Sequence, residues 1–152
     1  MPGVKVFIDS TTFLYTFDTS EIDKGRVAQL WLERLTDDDC GVTNLQVLKE
    51  VASVATRKTG RFGGDPFFRI DAFADFGTHP LTFETSLAAR ILHLNHFYSW
   101  WDCLLLASAL ELGCTHFLSE DLQDGQRIVA EGRQGLTIVD PFAHSPAQIL
   151  VS

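Results

Sequence analysis

Four carboxylates along the chain have the residue type and the placement to form one metal-binding cluster. They are Asp9, Glu50, Asp102 and Asp121. Each alone also fits a structural role, since Asp9 or Asp102 can stabilise a helix N-terminus, Glu50 can be a solvated helix residue and Asp121 can form a turn. Unpaired carboxylates that are brought together repel one another, so a fold that gathers them needs a neutralising cation. Oxygen ligands without His or Cys partners favour Mg²⁺ or Mn²⁺ over zinc.

The elements predicted around these acids place them at one edge of a sheet. Short apolar strands are predicted at 4–9, 41–43, 80–82, 115–119 and 136–139. Helices are predicted at 22–36, 66–76 and 99–112, around 87–92 and near 126–131. A further helix is predicted to begin at a capping box at 43–46 and to end at about 57. Strands that alternate with helices predict an α/β domain with a parallel sheet, whose working crevice lies beyond the C-terminal strand ends.

Composition and charge limit the class of protein. The 152 residues are 45% hydrophobic and 21% charged, which predicts one globular domain, 1–152, and excludes a disordered chain. A net charge of -8 argues against binding of duplex DNA by bulk charge, but not against a nuclease whose metal ions supply positive charge. Three cysteines in no zinc-type spacing indicate a reduced protein. With no signal-peptide or membrane-spanning apolar run, we expect a cytoplasmic location.

Four pieces of sequence, taken in order, resemble a known family. They are Val6-Phe7-Ile8-Asp9-Ser10, Glu50 after a strand and a helix cap, Trp101-Asp102 at the start of a Leu/Ala-rich helix, and Leu118-Ser119-Glu120-Asp121. Together they resemble the PIN domain, and more closely the toxin ribonucleases of VapBC-type toxin–antitoxin pairs, over essentially the whole chain. The resemblance implies a three-layer α/β/α domain with four to five parallel strands and an Mg²⁺-dependent ribonuclease activity. It also implies that Asp9, Glu50, Asp102 and Asp121 are the metal-binding acids.

Three further residues are assigned supporting roles near the site. Ser119 matches the small hydroxyl position of the resembled family. Thr11 departs from it, because many members have Asn there, and we expect Thr11 to donate a hydrogen bond to Asp9 in its place. Asp124 is a candidate further ligand, or a turn former beside a glycine. We expect Glu120 to point away, because neighbouring side chains in an extended turn diverge.

A basic segment and a phenylalanine-rich segment suggest partners. Arg57, Lys58 and Arg61 fit either a solvated surface or a phosphate-steering rim for single-stranded RNA. Five of the 12 Phe residues lie within 62–76, more than one helix stripe can bury, which predicts a homodimer contact there. Within that segment, Phe67 and Phe68 lie on adjacent helical faces and cannot both point into one core, so one of them could occupy a partner groove, but core packing is favoured. The family resemblance also implies a small antitoxin partner.

Other functions fit the sequence less well. A haloacid-dehalogenase-like phosphatase needs a second acid where Thr11 stands, and a receiver domain needs a late Lys, whereas no Lys follows Lys58. No Gly-x-Gly-x-x-Gly follows the first strand, which argues against a dinucleotide fold. His93 and His96 are interpreted as helix surface. The alternative that remains open is a non-catalytic PIN-like module, binding RNA or a partner, whose metal site has degraded.

Overall fold

Five short strands form one sheet in the computed structural model, which describes residues 3–58 and 60–150. The strands are β1 (Val6–Ile8), β2 (Gly41–Val42), β3 (His116–Leu118), β4 (Arg127–Ile128) and β5 (Leu136–Val139). Their order across the sheet is β2-β1-β3-β5-β4. β1 pairs in parallel with β2 and β3, and β3 with β5, whereas β4 pairs antiparallel with β5. The predicted α/β class is confirmed, with a five-stranded and mostly parallel sheet.

Seven α-helices connect and flank the strands in the described residues. They are α1 (Ser10–Tyr15), α2 (Ile22–Asp37), α3 (Leu45–Arg57), α4 (Pro66–Phe73), α5 (Phe83–Asn95), α6 (Trp100–Glu111) and α7 (Pro146–Ile149), with a 3₁₀ turn at Ala74–Phe76 after α4. Ser99 caps α6 as its sequence indicates, and the helix is buried from Cys103 to Leu110. Phe7 of β1 stacks on Phe117 of β3 with ring centroids 5.1 Å apart, at the centre of the core.

The structure corrects three predictions about local elements and adds two short helices that were not predicted. The segment near 126–131 is not a helix, because Arg127 and Ile128 form β4 and bond to β5. The segment 80–82 is not a strand, because Thr82 is the N-cap of α5. The cap of α3 is Asn44, whose Oδ1 accepts from the backbone N–H of Val47, rather than a box opened by the preceding residue. Helices α1 and α7, six and four residues long, are too short for periodicity to reveal.

Several large apolar side chains lie outside the core. Phe67 and Phe68 are both exposed, so the prediction that they pack in the core is wrong. The neighbouring Phe73 is buried, because its ring packs on Phe13 with centroids 4.4 Å apart. The longest exposed apolar stripe lies on α5 instead (Phe83, Leu87, Ile91 and Leu94). No helix within the described ranges is long and apolar enough to cross a membrane.

Candidate functional site

Parallel pairing aligns the ends of the two strands that lead into the site. Ile8 at the end of β1 pairs with Leu118 at the end of β3, so Asp9 and Ser119 follow at the same edge of the sheet. The chain then turns after β3 to reach Asp121. The hydroxyl of Ser119 accepts hydrogen bonds from the backbone N–H groups of Asp121 (3.2 Å) and Leu122 (3.3 Å), which fixes this turn. The register of the sheet and the hydrogen bonds of Ser119 thus determine the positions of Asp9 and Asp121.

A buried amide links the helices that carry the other two acids. Asn44 is fully buried and caps α3, and its Nδ2 donates to the Ser108 hydroxyl of α6 at 2.9 Å. Helix α3 carries Glu50 and α6 carries Asp102 in its first turn. A buried hydrogen bond of this kind is costly to break, because each group left without a partner keeps its desolvation penalty. It therefore holds the two helices at a fixed separation.

All four predicted acids line one cleft of about 460 Å³ at this edge of the sheet. The lining consists of the acids Asp9, Glu50, Asp102 and Asp121 together with Ser10, Thr11, Gln46, Lys49, Ser53, Trp101 and Leu105. Sequence reasoning did not assign Gln46 and Ser53 to the site. Their spacing from Glu50, four residues before and three after, is the helical spacing that could have found them.

Asp9 has the most perturbed carboxyl group of the cleft. It is 9% exposed, and its Oδ1 accepts from the backbone N–H of Ser10 (2.6 Å) and from the Ser10 hydroxyl (3.3 Å). Burial raises the pKa of Asp9 to about 7, and the negative charges of Glu50 and Asp102 add to the rise, against the lowering effect of Ser10. Asp9 is therefore both the N-cap of α1 and a buried carboxylate with no cation to offset it among the described residues.

Asp102 also combines a structural bond with a place in the cleft, and Asp121 has a perturbed carboxyl group there. The Ser99 hydroxyl donates to Asp102 Oδ2 at 2.9 Å and accepts from the Asp102 backbone N–H at 3.1 Å, so this acid completes the cap of α6. The pKa of Asp121 is raised, first by burial and then by the charges of Glu120 and Asp102, whereas Lys24 lowers it. The helix N-terminal roles predicted for Asp9 and Asp102 are confirmed, and they do not exclude a functional role.

The donor chemistry of the cleft fits a hard divalent cation, because its acidic groups are carboxylates and it contains no thiol or imidazole. As the side chains lie, however, no three Asp, Glu, His or Cys residues in 3–58 and 60–150 are grouped closely enough to hold one metal ion. The acids share a cleft without converging on one point. Glu50 and Asp121 are exposed and Asp102 is half-buried, so these side chains have room to change rotamer.

The residues predicted to support the site have other partners than expected. The donor to Asp9 is Ser10 and not Thr11, although Thr11 lines the cleft. Ser119 is buried and acts on the turn rather than facing the cleft. Asp124 lies away from the cleft, where its Oδ1 accepts from the backbone N–H of Asp140 at 2.9 Å.

The predicted basic rim is only partly free to meet a substrate. Arg61 forms an ion pair of 2.8 Å with the buried Asp18, so its charge is largely compensated. Lys58 is exposed and lines a second cavity of about 220 Å³ that shares Ser10, Thr11 and Glu50 with the acidic cleft. Arg57 is exposed on α3. Lys49, which precedes these residues on α3, is the basic residue in the lining of the acidic cleft.

Fold and cleft together define the class of protein. The sequence profile of the PIN domain matches residues 6–130, so the chain belongs to the PIN domain family. Among solved structures it is similar to VapC20 of Mycobacterium tuberculosis, which is described as a sarcin–ricin loop cleaving toxin. The TM-score is 0.54 at 16% identity, over 74% of this chain and 87% of that one, a likeness that establishes the shared fold. No curated protein sequence matches the chain significantly.

Proposed function

We propose that the protein is a metal-dependent endoribonuclease and the toxin of a toxin–antitoxin pair. The observation that carries the proposal is the placement of Asp9, Glu50, Asp102 and Asp121 in one cleft of a PIN domain. The description of VapC20 as a toxin that cleaves the sarcin–ricin loop supports the same class of activity here. The net charge of -8 fits as well, because an acidic nuclease needs cations to approach a phosphodiester.

Asp9, Asp102 and Asp121 would hold Mg²⁺ or Mn²⁺, and Glu50 would complete the set directly or through a water molecule. Such a cation, when bound, lowers the pKa of water and neutralises charge on the phosphoryl group. The proposal explains why Asp9 is an acid although it is buried. A neighbouring cation stabilises a buried carboxylate that lies beside two others more than it stabilises an exposed one. Rotation of the exposed Glu50 and Asp121 side chains would bring the donors together.

The remaining residues of the cleft have defined tasks in this reaction. Ser10 and Ser99 hold the carboxylates of Asp9 and Asp102 in orientation through the hydrogen bonds described above. Lys49 attracts the phosphate backbone, and Trp101, which is 60% exposed, offers a face on which a base can stack. Water would attack the phosphorus in line with the departing oxygen, so one P–O bond forms as another breaks.

The alternative function is a non-catalytic module that binds RNA or a partner through a degraded metal site. It is favoured by Thr11, which makes no hydrogen bond to Asp9, and by the absence of a converged ligand group in the described residues. Calorimetric titration with Mn²⁺ separates the two. We expect saturable heat from the wild type, none from Asp9→Asn, and an unchanged isotherm from Asp71→Asn on the exposed side of α4. A wild type without saturable heat would favour the alternative.

We further propose that the antitoxin binds the groove between α2 and α4. This groove of about 560 Å³ is lined by apolar Leu32, Phe68, Phe73 and Phe76 and by polar residues that include Glu33, Asp37 and Arg69. The exposed ring of Phe68 can seat against an apolar helix face, which is the usual way a short partner helix docks. Loss of antitoxin binding in Phe68→Glu, with cleavage retained, is the expected result.

The homodimer remains a proposal, with a different contact from the one predicted in 62–76. The α5 stripe defined above extends over twelve residues of helix, from Phe83 to Leu94. Such a stripe can pair with its own copy across a two-fold axis, because a two-fold interface brings the same surface patch of both protomers together. An exposed apolar patch of this extent is typical of an interface.

A further inference from the structure

One group of side chains outside the acidic cleft connects four separate segments of the chain. We call it the Lys24 cluster, and it consists of Lys24 in α2, Tyr15 at the end of α1, Glu120 in the loop after β3, and Phe142 after β5. The Lys24 ammonium donates to Glu120 Oε2 at 2.8 Å, and the Tyr15 hydroxyl donates to Glu120 Oε1. Both oxygens of the Glu120 carboxylate are therefore engaged, and none of the four residues lines the cleft.

The ammonium group is also held by aromatic rings. Its Nζ lies 5.1 Å from the centroid of the Tyr15 ring and 5.2 Å from that of Phe142. The two rings meet edge to face, with centroids 5.2 Å apart. A cation over aromatic faces is attracted by their quadrupoles, so the position of Lys24 is set by more than its ion pair. The Glu120 side chain is only 18% exposed, which distinguishes this pair from an ordinary surface contact.

Close backbone approach at the same place shows that α1 and α2 are in direct contact there. A Cβ atom added to Gly25, the residue after Lys24, would lie 2.8 Å from the carbonyl oxygen of Tyr15. The glycine therefore allows the end of α1 to rest directly on α2. Helix α1 begins at the Asp9 cap, so this contact fixes the opposite end of the helix that Asp9 starts.

We infer that Lys24 is a positioning residue for the cleft, which holds the loop bearing Asp121 through Glu120 and the helix capped by Asp9 through Tyr15. The inference rests on the proposed function and deepens it. Ser119 fixes the loop from the core side, and Lys24 fixes it from the outer side, with Asp121 next in sequence to the anchored Glu120. The positive charge of Lys24 also offsets part of the negative charge that Glu120 adds beside Asp121. Residues that orient metal ligands from outside typically change metal affinity about 10- to 100-fold when they are replaced.

The chain contains a matched control for this ion pair. Arg34 lies on the same helix as Lys24 and pairs with Asp38 at the same distance of 2.8 Å, with side-chain exposures of 40% for Arg34 and 39% for Lys24. Its partner Asp38 is not near the cleft in sequence and does not line it. We therefore compare Lys24→Met, which keeps the chain length and the apolar packing but loses the charge, with Arg34→Met. Lys24→Arg restores the charge and tests rescue.

Two measurements on the full chain test the inference. Amide hydrogen exchange without metal reports the loop itself, and we expect faster exchange over 119–124 in Lys24→Met but not in Arg34→Met. Calorimetric titration measures the affinity of the cleft for Mn²⁺. We expect about tenfold weaker binding in Lys24→Met, with recovery in Lys24→Arg. Unchanged loop exchange in Lys24→Met overturns the inference, and so does unchanged Mn²⁺ affinity. A wild type that binds no Mn²⁺ overturns the proposed function instead, while loop exchange still decides whether Lys24 holds the loop.

Discussion

Replacement of Asp9 by asparagine should stabilise the metal-free protein while it removes the proposed central metal ligand. Burial and the charges of Glu50 and Asp102 raise the pKa of Asp9 from 3.8 to about 7. Between about pH 4 and pH 7 the folded protein therefore holds a proton that unfolded Asp9 has released, so the free energy of unfolding falls as pH rises through this window. At about 1.4 kcal/mol for each pKa unit, the ionised carboxylate opposes folding by up to about 4 kcal/mol above pH 7.

The asparagine in Asp9→Asn keeps the size of the side chain and an oxygen that can accept from the Ser10 backbone N–H, but it carries no charge. We expect Asp9→Asn to be about 2–4 kcal/mol more stable than wild type at pH 8 in EDTA. In a domain of this size that gain raises the melting temperature by roughly 10 °C. The difference should shrink to nothing below about pH 3, where the carboxyl group is protonated in folded and unfolded chains alike.

Urea denaturation followed by circular dichroism at both pH values measures this difference. Asp71→Asn on α4 is the control, because Asp71 is exposed and its replacement should leave stability unchanged at either pH. Added Mn²⁺ should stabilise wild type, by about 2.7 kcal/mol at a concentration 100 times Kd, and leave Asp9→Asn unaffected. An Asp9→Asn variant no more stable than wild type at pH 8 in EDTA would refute the electrostatic reasoning.

Three further expectations concern positioning, substrate and assembly. Ser108→Ala should lower the free energy of unfolding by about 1–3 kcal/mol in urea denaturation, because it leaves the buried Asn44 amide without its acceptor; a smaller loss would mean that Asn44 does not need this bond. Lys49→Ala should weaken the binding of single-stranded RNA equally for all sequences, and it should reduce the slope of log affinity against log salt by about 1. Fluorescence anisotropy measures both effects, and an unchanged slope would show that Lys49 does not contact the RNA backbone. Ile91→Glu should convert a two-chain particle into one of 17.0 kDa in light scattering, and a wild type that is already monomeric at tens of micromolar would exclude the α5 contact.

The fold and the gathering of the four acids in one cleft could be predicted because both depend on local sequence patterns. A short apolar strand that ends on Asp9 and a serine cap three residues before Asp102 are each contained within a few residues. The alternation of strands and helices then fixes which strand ends share an edge. Sequence spacing within α3 could also have assigned Gln46 and Ser53 to the cleft, because they lie one helical turn from Glu50.

The features that the sequence did not predict depend on contacts between residues far apart in sequence. Lys24 and Glu120 are separated by 96 positions, and no periodicity links them. The strand β4 replaces a predicted helix because two residues find hydrogen-bond partners on β5, which outweigh local propensity. The charge of Arg61 is compensated by Asp18, 43 positions away, so a basic residue in the sequence is not a free cation on the surface. The apolar stripe of α5 has the spacing of a core helix, and its exposure emerges only from packing.

Cleavage of a labelled single-stranded RNA by wild type, Asp9→Asn and Asp71→Asn is the most direct test of the central claim. Each protein is stripped with EDTA, assayed, and assayed again after Mg²⁺ is added. We expect wild type and Asp71→Asn to cleave only with Mg²⁺, and Asp9→Asn to be inactive although it is folded and at least as stable. Full cleavage by Asp9→Asn, or cleavage by wild type in EDTA, would contradict a metal-dependent ribonuclease centred on this cleft.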